Sequence, residues 1–180
     1  IYGNDGDDSI SVSGVTTIVE NNTINGGDGN DSIYINPSTG SRFTIDGGAG
    51  DDYFLITSGN EMSLYGGEGN DTVSITSALS HFHISLDAGS DFMSIAGDVA
   101  SLTITGGDDN DTILSDASSV SIDGGDDDDV IRVGVGSIYV SKINKVTVDG
   151  GAGSDYIEFT STATIDAESS IFGGTGNDTI

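Results

Sequence analysis

The sequence predicts an all-β fold, a right-handed parallel β-roll or β-helix solenoid of about nine coils of 18–26 residues, with a column of metal-binding loops along one side. Three observations predict it. A loop of the form Gly-Gly-x-Gly-x-Asp recurs nine times through 180 residues, apolar residues alternate with period two on either side of each loop, and no segment has a helical period. Repeats about 20 residues long bury their apolar faces only against neighbouring repeats, so the expected arrangement is one stack and not a set of globular domains. Residues 1–180 read as a single solenoid and as a piece of a larger repetitive protein.

The loops run from Gly3 to Asp8, Gly26 to Asp31, Gly47 to Asp52, Gly66 to Asp71, Gly106 to Asp111, Gly124 to Asp129, Gly150 to Asp155 and Gly173 to Asp178, with a form read as shortened at Asp87 to Asp91. After each loop an inward pair is expected on a strand: Ile10 and Val12, Ile33 and Ile35, Phe54 and Ile56, Val73 and Ile75, Met93 and Ile95, Ile131 and Val133, and Ile157 and Phe159. Before the loops a second strand repeats the pattern with Phe43 and Ile45, Met62 and Leu64, Ile84 and Leu86, Leu102 and Ile104, Val120 and Ile122, and Val146 and Val148. Two short strands facing each other give a thin core. Turns such as Asn36-Pro37-Ser38-Thr39-Gly40 and Ser58-Gly59-Asn60 close the coils, and the longest coil, with Gly134 to Lys145, is expected to bulge or add a short third strand.

Thirty acidic side chains face only Arg42, Arg132, Lys142 and Lys145, for a net charge of −26. That balance excludes a nucleic-acid binder, which needs a basic surface to neutralise phosphates. No cysteine is present, so neither disulfides nor thiol chemistry enters. No apolar run approaches the roughly 20 residues of a membrane span, and membrane insertion is not expected. High charge and modest hydrophobicity would suit a disordered linker, but a linker has no reason to keep the apolar register.

The loop chemistry points to calcium. Glycine lets the backbone take positive φ and turn carbonyl oxygens toward one point, and where glycine is missing, Asn4, Asp109 and Asp127 are the residue types that best tolerate that region. The closing aspartates Asp8, Asp31, Asp52, Asp71, Asp91, Asp111, Asp129, Asp155 and Asp178 add hard carboxylates, and carbonyls with carboxylates make up the six to eight oxygens that Ca2+ takes. Coils stacked about 4.8 Å apart bring these carboxylates together, with a repulsion on the order of 3 kcal/mol per pair at an effective dielectric of 20. Nine loops in single file leave at most eight gaps for ions. An EF-hand order of ligands is absent, magnesium prefers an octahedral shell with retained water, and zinc prefers nitrogen or sulfur.

Over nearly the whole chain these loops resemble the hemolysin-type calcium-binding repeats of RTX proteins. In typical members the nonapeptide repeats in tandem and both sides of a coil bind metal, whereas here one turn per coil has the motif. That one-sided plan is similar to the calcium-stacked repeats of a giant bacterial ice-binding adhesin. The resemblance implies a ligand set of the nine closing aspartates with carbonyls at the second and fourth loop positions: Gly6; Gly27 and Gly29; Gly48 and Gly50; Gly67 and Gly69; Gly89; Gly107 and Asp109; Gly125 and Asp127; Gly151 and Gly153; Gly174 and Gly176. It also implies secretion or display at a bacterial cell surface, a chain unfolded in a calcium-poor cytosol, and a structural role without catalysis.

Two other roles are carried beside it. One is an ice- or glycan-binding surface, for which the third loop position is a poor ice face, because it reads Asp5, Asp28, Ala49, Glu68, Ala88, Asp108, Asp126, Ala152 and Thr175. Tyr34, Tyr53, Tyr65 and Tyr156 are outward aromatic candidates for glycan. The other is the non-catalytic tail of a secreted enzyme. His81 and His83 point outward, and two exposed imidazoles without a third ligand are expected to be solvated.

Overall fold

A computed structural model gives the fold and describes residues 1–14, 22–37, 42–77, 80–97, 99–134, 142–143, 145–160 and 164–180. Its described residues hold strands and no helix. Nine strands form one parallel sheet in chain order: Tyr2–Asp5, Asn22–Asp28, Phe43–Ala49, Asn60–Glu68, Ser80–Ala88, Ala100–Asp108, Ser119–Asp126, Lys145–Ala152 and Ser170–Phe172. Eight form the second: Ser9–Ser13, Ser32–Asn36, Tyr53–Ile56, Thr72–Ile75, Phe92–Ile95, Thr112–Ser115, Val130–Val133 and Tyr156–Phe159. The chain alternates between the sheets, so each coil puts one strand in each and the next coil stacks on it. Among the described residues eight coils have both strands, slightly fewer than the nine expected. The ninth loop follows Ser170–Phe172 and is joined to the stack by the bridges Ala152–Thr175 and Tyr156–Thr179.

Register explains the core. Ile24, Ile45, Leu64, Ile84, Ile104, Ile122, Val148 and Ile171 stand in one column of the first sheet. Ile33, Phe54, Val73, Met93, Ile113, Ile131 and Ile157 form the facing column of the second. Nearly all are fully buried, and each such side chain is worth about 1.5–3 kcal/mol relative to exposure. The predicted inward pairs lie in this core, with Phe159 packed at its edge. Thr112–Ser115 has Ile113 as its one inward apolar residue, since Leu114 points to the other face. Ser115 takes the inward place, fully buried, and its hydroxyl accepts the Ala117 N–H at 3.2 Å.

The fifth loop differs from its sequence reading. Phe82 and Ile84 occupy the places of Met62 and Leu64, and Asp87 and Ala88 pair with Gly67 and Glu68 on one side and with Gly107 and Asp108 on the other. The loop is therefore full length, with Leu86 where the first glycine stands elsewhere and Asp87 at the second position with φ 73°. Leu86 continues the inward alternation and is fully buried. In the longest coil, Lys142–Ile143 pairs with Thr164–Ile165 as a short third sheet, one of the two expected outcomes. The rest of that excursion, 135–141 and 144, and residues 38–40 of the proline turn lie outside the described residues.

Candidate metal centre

Each Gly-Gly pair sits at the end of a first-sheet strand and carries the strand's in-out alternation into the loop. The first glycine faces inward, and a Cβ there would strike the closing aspartate: at Gly47 it would meet Asp52 Oδ2 and the Gly66 carbonyl. The second- and fourth-position glycines named above all have positive φ, between 96° and 152°. Asn4, Asp109 and Asp127 take φ of 81°, 71° and 75°, as their place in the motif requires.

The nine closing aspartates form one file along the stack. From Asp31 to Asp155 they are almost completely buried, while Asp8 and Asp178 are partly so. One carboxylate oxygen of each from Asp31 to Asp178 is used. The Asp8 N–H donates to Asp31 Oδ1, Asp31 to Asp52, Asp52 to Asp71, Asp71 to Asp91, Asp91 to Asp111, Asp111 to Asp129, Asp129 to Asp155 and Asp155 to Asp178, over 2.6–3.2 Å. The other oxygen is not. Oδ2 of Asp8, Asp31, Asp52, Asp71, Asp91, Asp111, Asp129 and Asp155 is buried without a hydrogen-bond partner.

A second ladder runs the opposite way on the solvent side. The backbone N–H of Asn30 donates to Asp7 Oδ1, Asp51 to Asn30, Asn70 to Asp51 and Ser90 to Asn70, and the series resumes with Asp128 to Asn110 and Ser154 to Asp128. Distances are 2.6–3.0 Å. It lapses above Ser90 and Ser154, whose side chains lack a carbonyl or carboxylate oxygen. The loops are thus fixed on both sides, and the unused oxygens are held rather than left to rotate away.

Buried polar groups are nearly always partnered, and a buried unpaired charge costs several kcal/mol. Eight in one file therefore call for cations. Burial first, and then the charges of adjacent aspartates, push the carboxyls of Asp71, Asp91, Asp111 and Asp129 up to about 7 and that of Asp52 up to about 6, partly offset by the backbone N–H each accepts. Asp155 is raised for the same reasons. Asp109 presses on both Asp91 and Asp111, and Asp127 and Asp128 on Asp129. No group of three His, Cys, Asp or Glu side chains converges on a metal position among the described residues. The donor set here is one carboxylate oxygen per loop with backbone carbonyls, a wholly hard set that fits calcium and not zinc.

His81 and His83 are exposed, and His83 meets Tyr65 edge-on at 6.4 Å between ring centroids. Asp87, which the shortened reading of its loop passed over, supplies the second-position carbonyl between Gly67 and Gly107. A further pattern appears only in the folded register. Thr23, Thr44, Ser63, His83, Thr103, Ser121, Thr147 and Ser170 stand in one column on the outer face of the first sheet.

A family model described as the RTX calcium-binding nonapeptide repeat, in 4 copies, matches residues 1–14, 20–34, 44–60, 63–74, 103–137, 146–159 and 169–180, well over half of the chain. No curated protein and no solved structure matches it. With the glycine loops, the aspartate file and the parallel coils in agreement, the chain belongs to the RTX calcium-binding nonapeptide repeat family.

Proposed function

We propose that this repeat module is a structural element of a larger secreted or cell-surface protein, one that folds and stiffens when it meets calcium and is not itself catalytic. The file of eight buried, unpartnered carboxylate oxygens supports this reading most directly. In this reading the nine closing aspartates and the second- and fourth-position carbonyls hold the ions in the gaps between adjacent loops, up to eight in all. Bound calcium supplies the positive charge that lets the carboxylates stack. Eight divalent ions would offset more than half of the net charge of −26. Because no gap exists in the unfolded chain, ion-binding free energy is also folding free energy. A low-calcium cytosol would then keep the chain open for export, and no helix among the described residues is long and apolar enough to cross a membrane.

Far-UV circular dichroism during a calcium titration from chelator, with magnesium as control and calorimetric ion counting alongside, tests the proposal. A cooperative gain of β signal with several ions bound, absent with magnesium, is expected. A chain fully folded in chelator and taking up no calcium would refute it.

The column of hydroxyls from Thr23 to Ser170, broken by His83, favours a second reading, in which the same scaffold presents a face to glycan or ice. It lies on the first sheet, away from the third loop position considered from sequence. Glycan-array binding and thermal hysteresis of the calcium-loaded protein test it, and blanks in both would remove it.

A further inference from the structure

The gaps between loops are not equivalent. The loops Gly106–Asp111 and Gly124–Asp129 together hold seven carboxylates: Asp108, Asp109 and Asp111 in one, Asp126, Asp127, Asp128 and Asp129 in the other. The last two loops, Gly150–Asp155 and Gly173–Asp178, hold one each. Two of the seven stand where backbone conformation argues against them. The fourth position is glycine in every other loop, while Asp109 and Asp127 take φ of 71° and 75°, a left-handed conformation that strains a residue with a Cβ. Both are exposed. Each lies two residues before a closing aspartate, Asp111 or Asp129, that is 1% exposed with an unpartnered Oδ2.

We infer that the loops Gly106–Asp111 and Gly124–Asp129 enclose the tightest calcium site of the stack, that Asp109 and Asp127 make it so, and that it fills first and starts the folding of the neighbouring coils. This rests on the calcium-folding reading above. A carboxylate about 8 Å from a divalent ion, screened by water, changes affinity about fivefold, and salt reduces that somewhat. Its carboxylate repels its neighbours until the ion arrives, so the same two residues make this part of the chain the least able to fold without calcium.

Asp109→Gly with Asp127→Gly restores the motif glycine at both positions, relieves the left-handed strain and removes two charges, so folding is retained. A control pair, Asp28→Ala with Glu68→Ala, removes the same charge from two other loops at the third position, which is already alanine in Ala49, Ala88 and Ala152. Calcium calorimetry on the whole chain is expected to show the tightest class of sites weakened about tenfold in the first variant, with the number of ions unchanged, and left in place in the control. Hydrogen exchange at one calcium per chain is expected to show protection first across Leu102–Val133. Unchanged or tighter binding in the first variant, equal weakening in both pairs, or protection arising first elsewhere would overturn the inference. An unaltered chain that takes up no calcium would sink the calcium-folding reading and this one with it.

Discussion

Gly69 and Gly6 hold the same loop position with similar backbone angles, φ 121° and 105°, but differ in what lies against them. A Cβ on Gly6 would meet nothing within 4 Å, whereas on Gly69 it would lie 2.6 Å from the Gly50 carbonyl carbon and closer still to its oxygen. Replacing either with alanine incurs the strain of a positive φ, about 1–3 kcal/mol. At Gly69 the added methyl must also force two coils apart, and backbone cannot swing aside as a side chain can. Overpacking typically adds a further 1–3 kcal/mol, so Gly69→Ala is expected to cost about 2–6 kcal/mol against about 1–3 for Gly6→Ala. Against a stability of about 5–15 kcal/mol for a domain, the larger figure approaches loss of the fold. Denaturant unfolding in saturating calcium measures both. Equal costs would show that coil-to-coil contact does not explain the glycines, and a Gly69→Ala cost under about 1 kcal/mol would refute the stacking distances themselves.

Leu86→Ala brings the fifth loop closer to the glycine motif yet should destabilise by about 3 kcal/mol, because the leucine is fully buried; an unchanged melting midpoint would contradict its place in the core. Asp71→Asn keeps an oxygen for the Asp52 N–H and removes a buried charge, so it should stabilise the metal-free chain and weaken the calcium-loaded one. Melts with and without calcium check that reversal of sign, and a shift in the same direction in both would count against a ligand role. In the folded, metal-free chain the carboxyls of Asp71, Asp91, Asp111 and Asp129 are raised from 3.8 to about 7. A raised group stabilises the fold fully below its unfolded value and loses that contribution as pH rises through its folded value. Metal-free stability should therefore rise from pH 8 to pH 4, while the calcium-loaded protein loses ions over the same interval. Thermal melts moving in parallel in the two states would refute the assignment.

Much of the fold is legible because a strand's period of two and a loop's glycine spacing are local facts. Ile33 and Ile35, or Val120 and Ile122, announce their inward direction in a few residues, and Asp109 and Asp127 announce positive φ by standing in glycine's place. What is not legible depends on the partner coil. Leu86 follows the apolar alternation, so it reads as the end of a strand, and only its alignment with Gly66 and Gly106 shows that it begins a loop. Ser115 is inward because the column above and below it is inward, which its own polarity hides. Coil lengths vary from 18 to 26 residues and the turns absorb the difference, so the hydroxyl column through Thr103 cannot be counted out along the chain. The closing aspartates are conspicuous from sequence, but which oxygen is occupied is settled by an amide about 20 residues away.

The two ladders give the stack a direction. Each closing aspartate from Asp31 onward reaches back to an amide of the coil before it, and each Asn or Asp of the outer series from Asp7 to Asn70, and again at Asn110 and Asp128, receives an amide from the coil after it. A coil joining at the leading side finds carboxylate acceptors already standing; one joining at the trailing side brings its own carboxylate and finds only the outer acceptors. The two growth faces are chemically unlike, as are the ends of a polar filament, and the places where Ser90 and Ser154 interrupt the outer series are the joints at which such a filament would be easiest to part.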